Sequence, residues 1–291
     1  MPYANAKDGT RLFYKDWGSG DPVVLLHGWP LSADTWDDAA VALAEAGKRC
    51  IMPDRRGFGR SDQPWDGYDY DTFADDVAAV LDDARVSEPV ALVGFSMGGG
   101  EVARFLTRQG PNRVTKAVLI SSVVPFMLQT DDSPNGVPQS TFDELTTEMK
   151  EDRERFFTGF FKSFFGDGFL SQPVSSEVEM NAWRQAMMAG LRPTLAAAQA
   201  FATTDFRPDL ASFTMPTLVI HGTADKTVPI DATGRIVADQ VPGAQLIEYD
   251  GSAHGLFATD KQRLIGDLLS FLGSSDSGAG TRSAIPLSQT T

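Results

Sequence analysis

The sequence predicts an α/β domain: a mostly parallel eight-stranded sheet with helices on both faces and a helical cap inserted after the sixth strand. Three observations carry this. Short apolar runs rich in Val, Ile and Leu alternate with longer helix-like runs, the pattern of parallel strands joined by helical crossovers. The run Pro89-Val90-Ala91-Leu92-Val93 leads straight into Gly94-Phe95-Ser96-Met97-Gly98, a serine between glycines where a strand turns into a helix. Strand signals then vanish over about 123–210 and return with Thr217-Leu218-Val219-Ile220.

Taken in order, two early strands near 2–6 and 11–17 precede a third over 22–27, built on Val23-Val24-Leu25-Leu26. A helix near 34–47 leads to a strand at 48–53, where Lys48-Arg49-Cys50-Ile51-Met52-Pro53 reads as buried. A helix follows near 71–85, then a strand at 89–94, a helix at 97–109 and a strand at 114–121. The interruption opens on the turn-rich Asp131-Asp132-Ser133-Pro134-Asn135-Gly136-Val137-Pro138, which reads as a hinge. Within it Phe156, Phe157, Phe160, Phe161, Phe164 and Phe165 recur in pairs every four residues, giving one broad apolar helix face. Strands near 215–221 and 244–249 alternate with helices near 231–240 and 257–273. The expected organisation is a core of 1–122 and 211–273, a cap of 123–210, and a disordered or artificial tail of 274–291 rich in Ser, Gly and Thr. No internal repeat is visible.

A serine at a sharp strand-to-helix turn needs small neighbours, and its hydroxyl is then exposed at the sheet edge. Ser96 is therefore the candidate nucleophile. The Met97 amide falls at a helix N-terminus, where unpaired N–H groups favour a developing negative oxygen. Of the three histidines, only His254 lies downstream of both Ser96 and a plausible acid, in the loop Asp250-Gly251-Ser252-Ala253-His254-Gly255. It is the expected base. His27 and His221 end apolar runs and read as buried, structurally hydrogen-bonded residues. The acid is expected at Asp225, four residues beyond His221, with Asp231 as fallback; Asp205, Asp209 and Asp260 fit the loop less well. A second oxyanion donor is expected from the Trp29 amide in His27-Gly28-Trp29-Pro30, with Trp29 also able to serve as a packing aromatic.

At this density of motifs the chain resembles the cofactor-free bacterial haloperoxidases, or perhydrolases, and the related aryl esterases of the α/β-hydrolase fold. The resemblance rests on Lys15-Asp16-Trp17-Gly18-Ser19-Gly20, on His27 to Pro30, and on Asp54-Arg55-Arg56-Gly57-Phe58-Gly59-Arg60-Ser61-Asp62-Gln63-Pro64-Trp65. It continues through Tyr70-Asp71-Thr72-Phe73-Ala74-Asp75-Asp76, Gly94 to Gly100, and Thr204-Asp205-Phe206-Arg207-Pro208-Asp209, covering roughly 3–273. It implies a serine hydrolase acting on small carboxylic esters, able to use hydrogen peroxide in place of water, with neither haem nor metal. The Asp54 to Ser61 block is common to many such hydrolases, and its arginines read as a loop-ordering network. Relatives that open lactams keep an amide substrate in play. A hydrolase-fold small-molecule receptor with slow turnover is the alternative of a different class. Dehalogenases and epoxide hydrolases of this fold carry an aspartate where Ser96 stands.

Pocket candidates are Pro30, Phe126, Phe160 and Phe161, the phenylalanines because a lid over Ser96 needs an apolar underside. Pro30 is expected to restrict the orientation of the Trp29 carbonyl as well as its amide. The net charge of −14, from 39 acidic against 25 basic residues, disfavours nucleic acid and anionic membranes. No stretch of 18 or more apolar residues occurs and the N-terminus lacks an apolar targeting segment, so a cytoplasmic protein is expected. Cys50 is the one cysteine, which removes any internal disulfide or thiolate zinc site. Neither a phosphate loop nor an H-E-x-x-H metal motif is present. The expected partners are a small ester or carboxylic acid and peroxide, with a homo-oligomer left open and no metal or other cofactor.

Overall fold

Strands β1 (Tyr3–Asn5) and β2 (Arg11–Gly18) form an antiparallel hairpin at one edge of an eight-stranded sheet in this computed structural model. The structure describes residues 2–168 and 172–273; the tail expected over 274–291 lies outside them. The remaining strands are β3 (Asp21–Leu26), β4 (Lys48–Pro53), β5 (Val90–Phe95), β6 (Val114–Ile120), β7 (Thr217–Gly222) and β8 (Gln245–Tyr249). They lie in the order β1-β2-β4-β3-β5-β6-β7-β8, with β2 antiparallel to β4 and every later neighbour parallel. β5 is buried at every residue, as a central parallel strand covered on both faces must be. That is why it reads as a continuous apolar run.

The covering helices are α1 (Asp37–Glu45), α2 (Tyr70–Asp83) and α3 (Met97–Gln109), which precede β6. Three more, α4 (Gln139–Phe165), α5 (Ser176–Met188) and α6 (Leu191–Thr203), are inserted between β6 and β7. The last are α7 (Gly234–Gln240), α8 (Leu256–Thr259) and α9 (Lys261–Gly273). α2 packs on α3, and α1 on α9. The Asp69 carboxylate starts α2 by accepting from the Thr72 amide at 2.9 Å.

Two of the helices expected from sequence are broken. The one expected over 231–240 begins as a single 3-10 turn at Ile230–Ala232 before α7, and the one expected over 257–273 divides into α8 and α9 at Asp260, whose backbone leaves helical geometry. α4 breaks within itself at Asp152 (φ −156°, ψ 84°). There the Asp152 carboxylate accepts the Arg155 amide at 2.9 Å, capping the second half of α4 and aiming its phenylalanine face inward.

The inserted helices rest on the loop after β3. The Trp29 indole donates to the Thr194 carbonyl at 3.0 Å, and Ser32 donates its hydroxyl to the Gln185 side chain at 2.9 Å. Gln63 donates to the Met188 carbonyl at 2.9 Å and accepts the Gly190 amide at 2.8 Å.

Candidate active site

Ser96 stands alone between β5 and α3, with φ 55° and ψ −119°. A positive φ on a side chain of this kind costs about 1–3 kcal/mol and persists only where the surroundings enforce it. Here they do. A Cβ on Gly94 would strike the Gly98 carbonyl, and one on Gly98 would strike the Leu26 carbonyl of β3, so both glycines are needed for the turn to close. The Ser96 amide is held by the Ile120 carbonyl at 2.8 Å.

The three residues expected to act together are brought together. His254 Nε2 lies 2.9 Å from Ser96 Oγ, and His254 Nδ1 lies 2.6 Å from Asp225 Oδ2. A carboxylate can only accept, so Nδ1 carries the hydrogen and Nε2 is free to accept from the Ser96 hydroxyl. The other oxygen, Asp225 Oδ1, accepts the Thr227 and Val228 amides at 2.9 and 2.8 Å. Burial alone would raise the Asp225 carboxyl; the His254 charge and hydrogen bonds from His221 and His254 outweigh it and hold the group well below its usual value. All three side chains are buried. The alternative acids are engaged elsewhere: Asp231 pairs with Arg235 at 2.6 Å, Asp205 with Arg207 at 2.7 Å, Asp209 with Arg104 at 3.2 Å, and Asp260 accepts the Thr259 hydroxyl at 2.7 Å.

Met97 is the first residue of α3, so its amide is among those without an intrahelical partner. Trp29 follows Gly28, where an added Cβ would fall 3.0 Å from Ser96 Cβ and 2.8 Å from the Phe95 ring. The Trp29 loop therefore runs directly beside the serine. The Trp29–Pro30 peptide is cis. His27 braces the loop from beneath: Nε2 accepts the Arg55 amide at 3.0 Å, which leaves Nδ1 to donate to the Gly28 carbonyl at 2.9 Å. Arg55 in turn donates to the His27 carbonyl at 2.6 Å and to both Glu101 oxygens at 2.7 and 2.6 Å. Burial, reinforced by the Arg55 charge, pushes the His27 imidazole well below its usual value. The other arginines of this block are also tied down, Arg56 to Asp76 and Arg60 to Asp54.

Of the pocket candidates, Pro30 lies in the Trp29 loop beside Ser96, and Phe160 bridges that loop to the aromatic packing on His254. Its ring centroid lies 5.5 Å from that of Trp29 and 5.5 Å from that of Phe164, and Phe164 in turn packs edge-on to His254 at 4.8 Å. Phe160 also floors a groove of about 640 Å³ along α4, together with Leu145 and Phe156. Phe161 is fully buried among Phe157, Phe164 and Phe165. Phe126 lies under the Arg207 guanidinium, 4.9 Å from its ring centroid, and among the described residues no ring contact ties it to the aromatic cluster on His254. Sequence reasoning gave no site role to Phe95, Phe164 or Phe257; Phe95 and Phe164 pack on the His254 ring with centroids 5.0 and 4.8 Å away, and Phe257 packs on both of them. For Phe164 the signal was the paired phenylalanine stripe; nothing in the sequence says which member of a stripe meets the histidine.

Cys50 is buried and its thiol is pushed up to about 12 by burial. Among the described residues no cluster of three or more His, Cys, Asp or Glu side chains is placed to hold a metal ion. No helix among them is long and apolar enough to cross a membrane.

Comparison with known proteins agrees with this fold. The profile of the alpha/beta hydrolase fold family matches residues 21–261. The chain is 44% identical over 274 residues to a non-heme chloroperoxidase of Kitasatospora aureofaciens, covering 94% of this chain and 99% of that one. It is 42% identical over 275 residues to a bifunctional esterase/perhydrolase of Acinetobacter calcoaceticus, with the same coverage. Among solved structures, a bromoperoxidase from Bacillus anthracis superposes with a TM-score of 0.90 at 40% identity, covering 94% of this chain and 99% of that one. With its overall fold and much of its sequence in common with these enzymes, the chain belongs to the α/β-hydrolase superfamily, within its group of non-heme haloperoxidases and esterase/perhydrolases.

Proposed function

We propose that the protein is a serine hydrolase that takes the acyl group of small carboxylic esters onto Ser96 and passes it to water or hydrogen peroxide. One observation carries the reading: a single imidazole, His254, bridges Ser96 at 2.9 Å and Asp225 at 2.6 Å. That is the arrangement that activates a hydroxyl nucleophile. The names of the similar chloroperoxidase and esterase/perhydrolase support peroxide as a second nucleophile.

In the first half-reaction Ser96 Oγ bonds to the ester carbonyl carbon as its proton passes to His254 Nε2. The carbonyl oxygen becomes an oxyanion facing the Trp29 and Met97 amides, donors that need no reorganisation as the charge develops. His254 returns the proton to the departing alkoxide and the ester C–O bond breaks. Water or hydrogen peroxide then gives a proton to His254 and attacks the acyl carbon. The Ser96 ester bond breaks, the proton returns to Ser96, and a carboxylic acid or peracid leaves. A peracid oxidises halide in solution, becoming the acid as the halide becomes hypohalous acid, so no halide site is required. Asp225 stays ionised throughout and stabilises the imidazolium.

The test is hydrolysis of p-nitrophenyl acetate by wild type and Ser96→Ala, with water and peroxide as competing nucleophiles across an acyl-chain-length series. A slow-turnover receptor would show at most a stoichiometric burst of nitrophenolate, without rapid Ser96-dependent turnover. A protein with no partition of acyl groups to peroxide would be a hydrolase alone.

A further inference from the structure

Asp225 has a second histidine beside it. His221, the next-to-last residue of β7, is completely buried and lies four residues before the acid. Its Nε2 is 2.9 Å from the Val228 carbonyl and 3.4 Å from Asp225 Oδ2, the same oxygen that receives His254. A carbonyl only accepts, so the hydrogen of His221 sits on Nε2 and is donated to Val228, with Asp225 Oδ2 3.4 Å from the same nitrogen. Its other nitrogen, Nδ1, has no partner among the described residues; an added Cβ on Gly234 would come within 2.7 Å of it. The imidazole is thus held as a donor aimed in one direction. The charged groups around this corner are Glu248 of β8, which pairs in register with His221, and Arg235 of α7, which binds both Glu248 and Asp231.

We propose that His221 is a positioning residue for the acid of the triad. On the reading that Ser96, His254 and Asp225 act together, it closes the loop 225–228 through Val228 and shares Oδ2 with His254, which limits how strongly Asp225 holds the imidazolium. Two donors on one carboxylate oxygen each draw on the same charge. Without the His221 donor, more of that charge faces His254, the imidazolium is more stable, and His254 keeps its proton to higher pH. A wall residue that merely filled space would change stability without moving that titration.

The experiment reads the histidines directly by nitrogen-15 NMR titration, which the presence of only three in the chain makes tractable. His254 is assigned by the signal lost in His254→Gln. The variants are His221→Asn and His221→Gln. The amide nitrogen of glutamine reaches the place of Nε2, whereas that of asparagine falls near Nδ1. His221 in the wild type is expected as the Nε2–H tautomer. His221→Asn is expected to raise the His254 midpoint, and with it the acid limb of kcat/KM, by roughly half a pH unit, as loss of a modest hydrogen bond implies. His221→Gln is expected to leave both close to wild type. An Nδ1–H tautomer in the wild type overturns the proposal, as does a His254 midpoint unmoved in His221→Asn. If His221→Asn fails to fold, the wild type decides: the His221 Nε2 signal is expected to shift as His254 titrates, and a His221 signal blind to that titration overturns the proposal. The NMR readout does not depend on turnover, so an inactive protein showing the expected titrations would sink the acyl-enzyme reading and leave this one standing.

Discussion

The ring of Phe164 meets the His254 imidazole edge-on, centroids 4.8 Å apart, and the Phe164 carbonyl accepts the amide of the next residue, Gly255, at 2.9 Å. The end of α4 therefore grips the histidine loop by both side chain and backbone. A Cβ on Gly255 would strike the Phe165 ring, so the contact tolerates no added atom. Phe164→Leu is expected to lower kcat for p-nitrophenyl acetate about tenfold while KM changes little, since an imidazole displaced by a fraction of an ångström no longer lies in line with Ser96. Phe164→Ala, which empties a fully buried site, is expected to destabilise the fold by about 3–5 kcal/mol as well. A Phe164→Leu enzyme with wild-type kcat would show that His254 is held without α4.

On the proposed function Ser96, His254 and Asp225 act as a unit, and their loss should be severe and non-additive. Ser96→Ala and His254→Ala are expected to lower kcat by several orders of magnitude to about the same residual rate, and Asp225→Ala by somewhat less. Retention of a tenth of wild-type activity by Ser96→Ala would remove the nucleophile assignment.

Asp225 also carries an acid-stability signature. Its folded-state value lies below that of the unfolded chain, so its ionised form stabilises the fold at neutral pH; that contribution starts to shrink below about pH 4, where the unfolded chain takes up the proton, and is gone once pH falls through the lower folded-state value. The stability difference between wild type and Asp225→Asn, measured by urea unfolding, is expected to be roughly 3 kcal/mol near pH 7 and to shrink steadily below pH 4. A gap that widened on acidification would show that Asp225 is not held as an anion in the fold.

The parts of this fold that sequence made legible are those where one physical demand dominates. β5 is buried at every residue and so had to be apolar throughout; Ser96 at positive φ required glycines within two residues on either side. His254 and Asp225 could be placed because chain order on a parallel sheet fixes which loops face the elbow. The cap was legible as an interruption and, within it, as the phenylalanine stripe of α4. α5 and α6 bury Ala182, Ala186, Ala197, Ala198 and Ala202 rather than large side chains, so their inward faces carry little hydrophobic periodicity. The break in α4 depends on one aspartate capping from within a helical run, and Asp152 resembles its acidic neighbours in sequence. Likewise His221 ends an apolar strand as a structural histidine would; its approach to Asp225 Oδ2 is set by the turn of the loop after β7.

Halide oxidation should follow the acyl chemistry. With acetate or an acetate ester and hydrogen peroxide, bromide oxidation is expected to fall in Ser96→Ala in proportion to ester hydrolysis, because on the proposed function both use the same acyl-enzyme. Activity is expected to be unchanged by EDTA, and the purified protein to lack haem absorbance. Bromide oxidation that survived in Ser96→Ala, or that EDTA abolished and an added metal restored, would point to a separate oxidising centre.

The last prediction concerns the ion pair beneath the Trp29 loop. Arg55 and Glu101 are each almost wholly buried, joined by hydrogen bonds of 2.7 and 2.6 Å, and Arg55 also holds the His27 carbonyl. Burial raises the Glu101 carboxyl above its usual value, while the Arg55 charge and hydrogen bonds oppose the shift. Taking two charges out of water costs about as much as their attraction returns, so the pair as a whole is a weak source of stability. Breaking it is a different matter. Glu101→Gln leaves the Arg55 guanidinium buried without a counter-charge and is expected to cost about 3–5 kcal/mol in urea unfolding. The double change Arg55→Met with Glu101→Leu removes both charges and should cost less. It also frees the His27 carbonyl and the loop above it, so kcat for p-nitrophenyl acetate should fall about tenfold even where stability is largely regained. A double variant equal to wild type in kcat would show that the Trp29 amide keeps its place without this brace, leaving the ion pair with no part in positioning the proposed oxyanion donor.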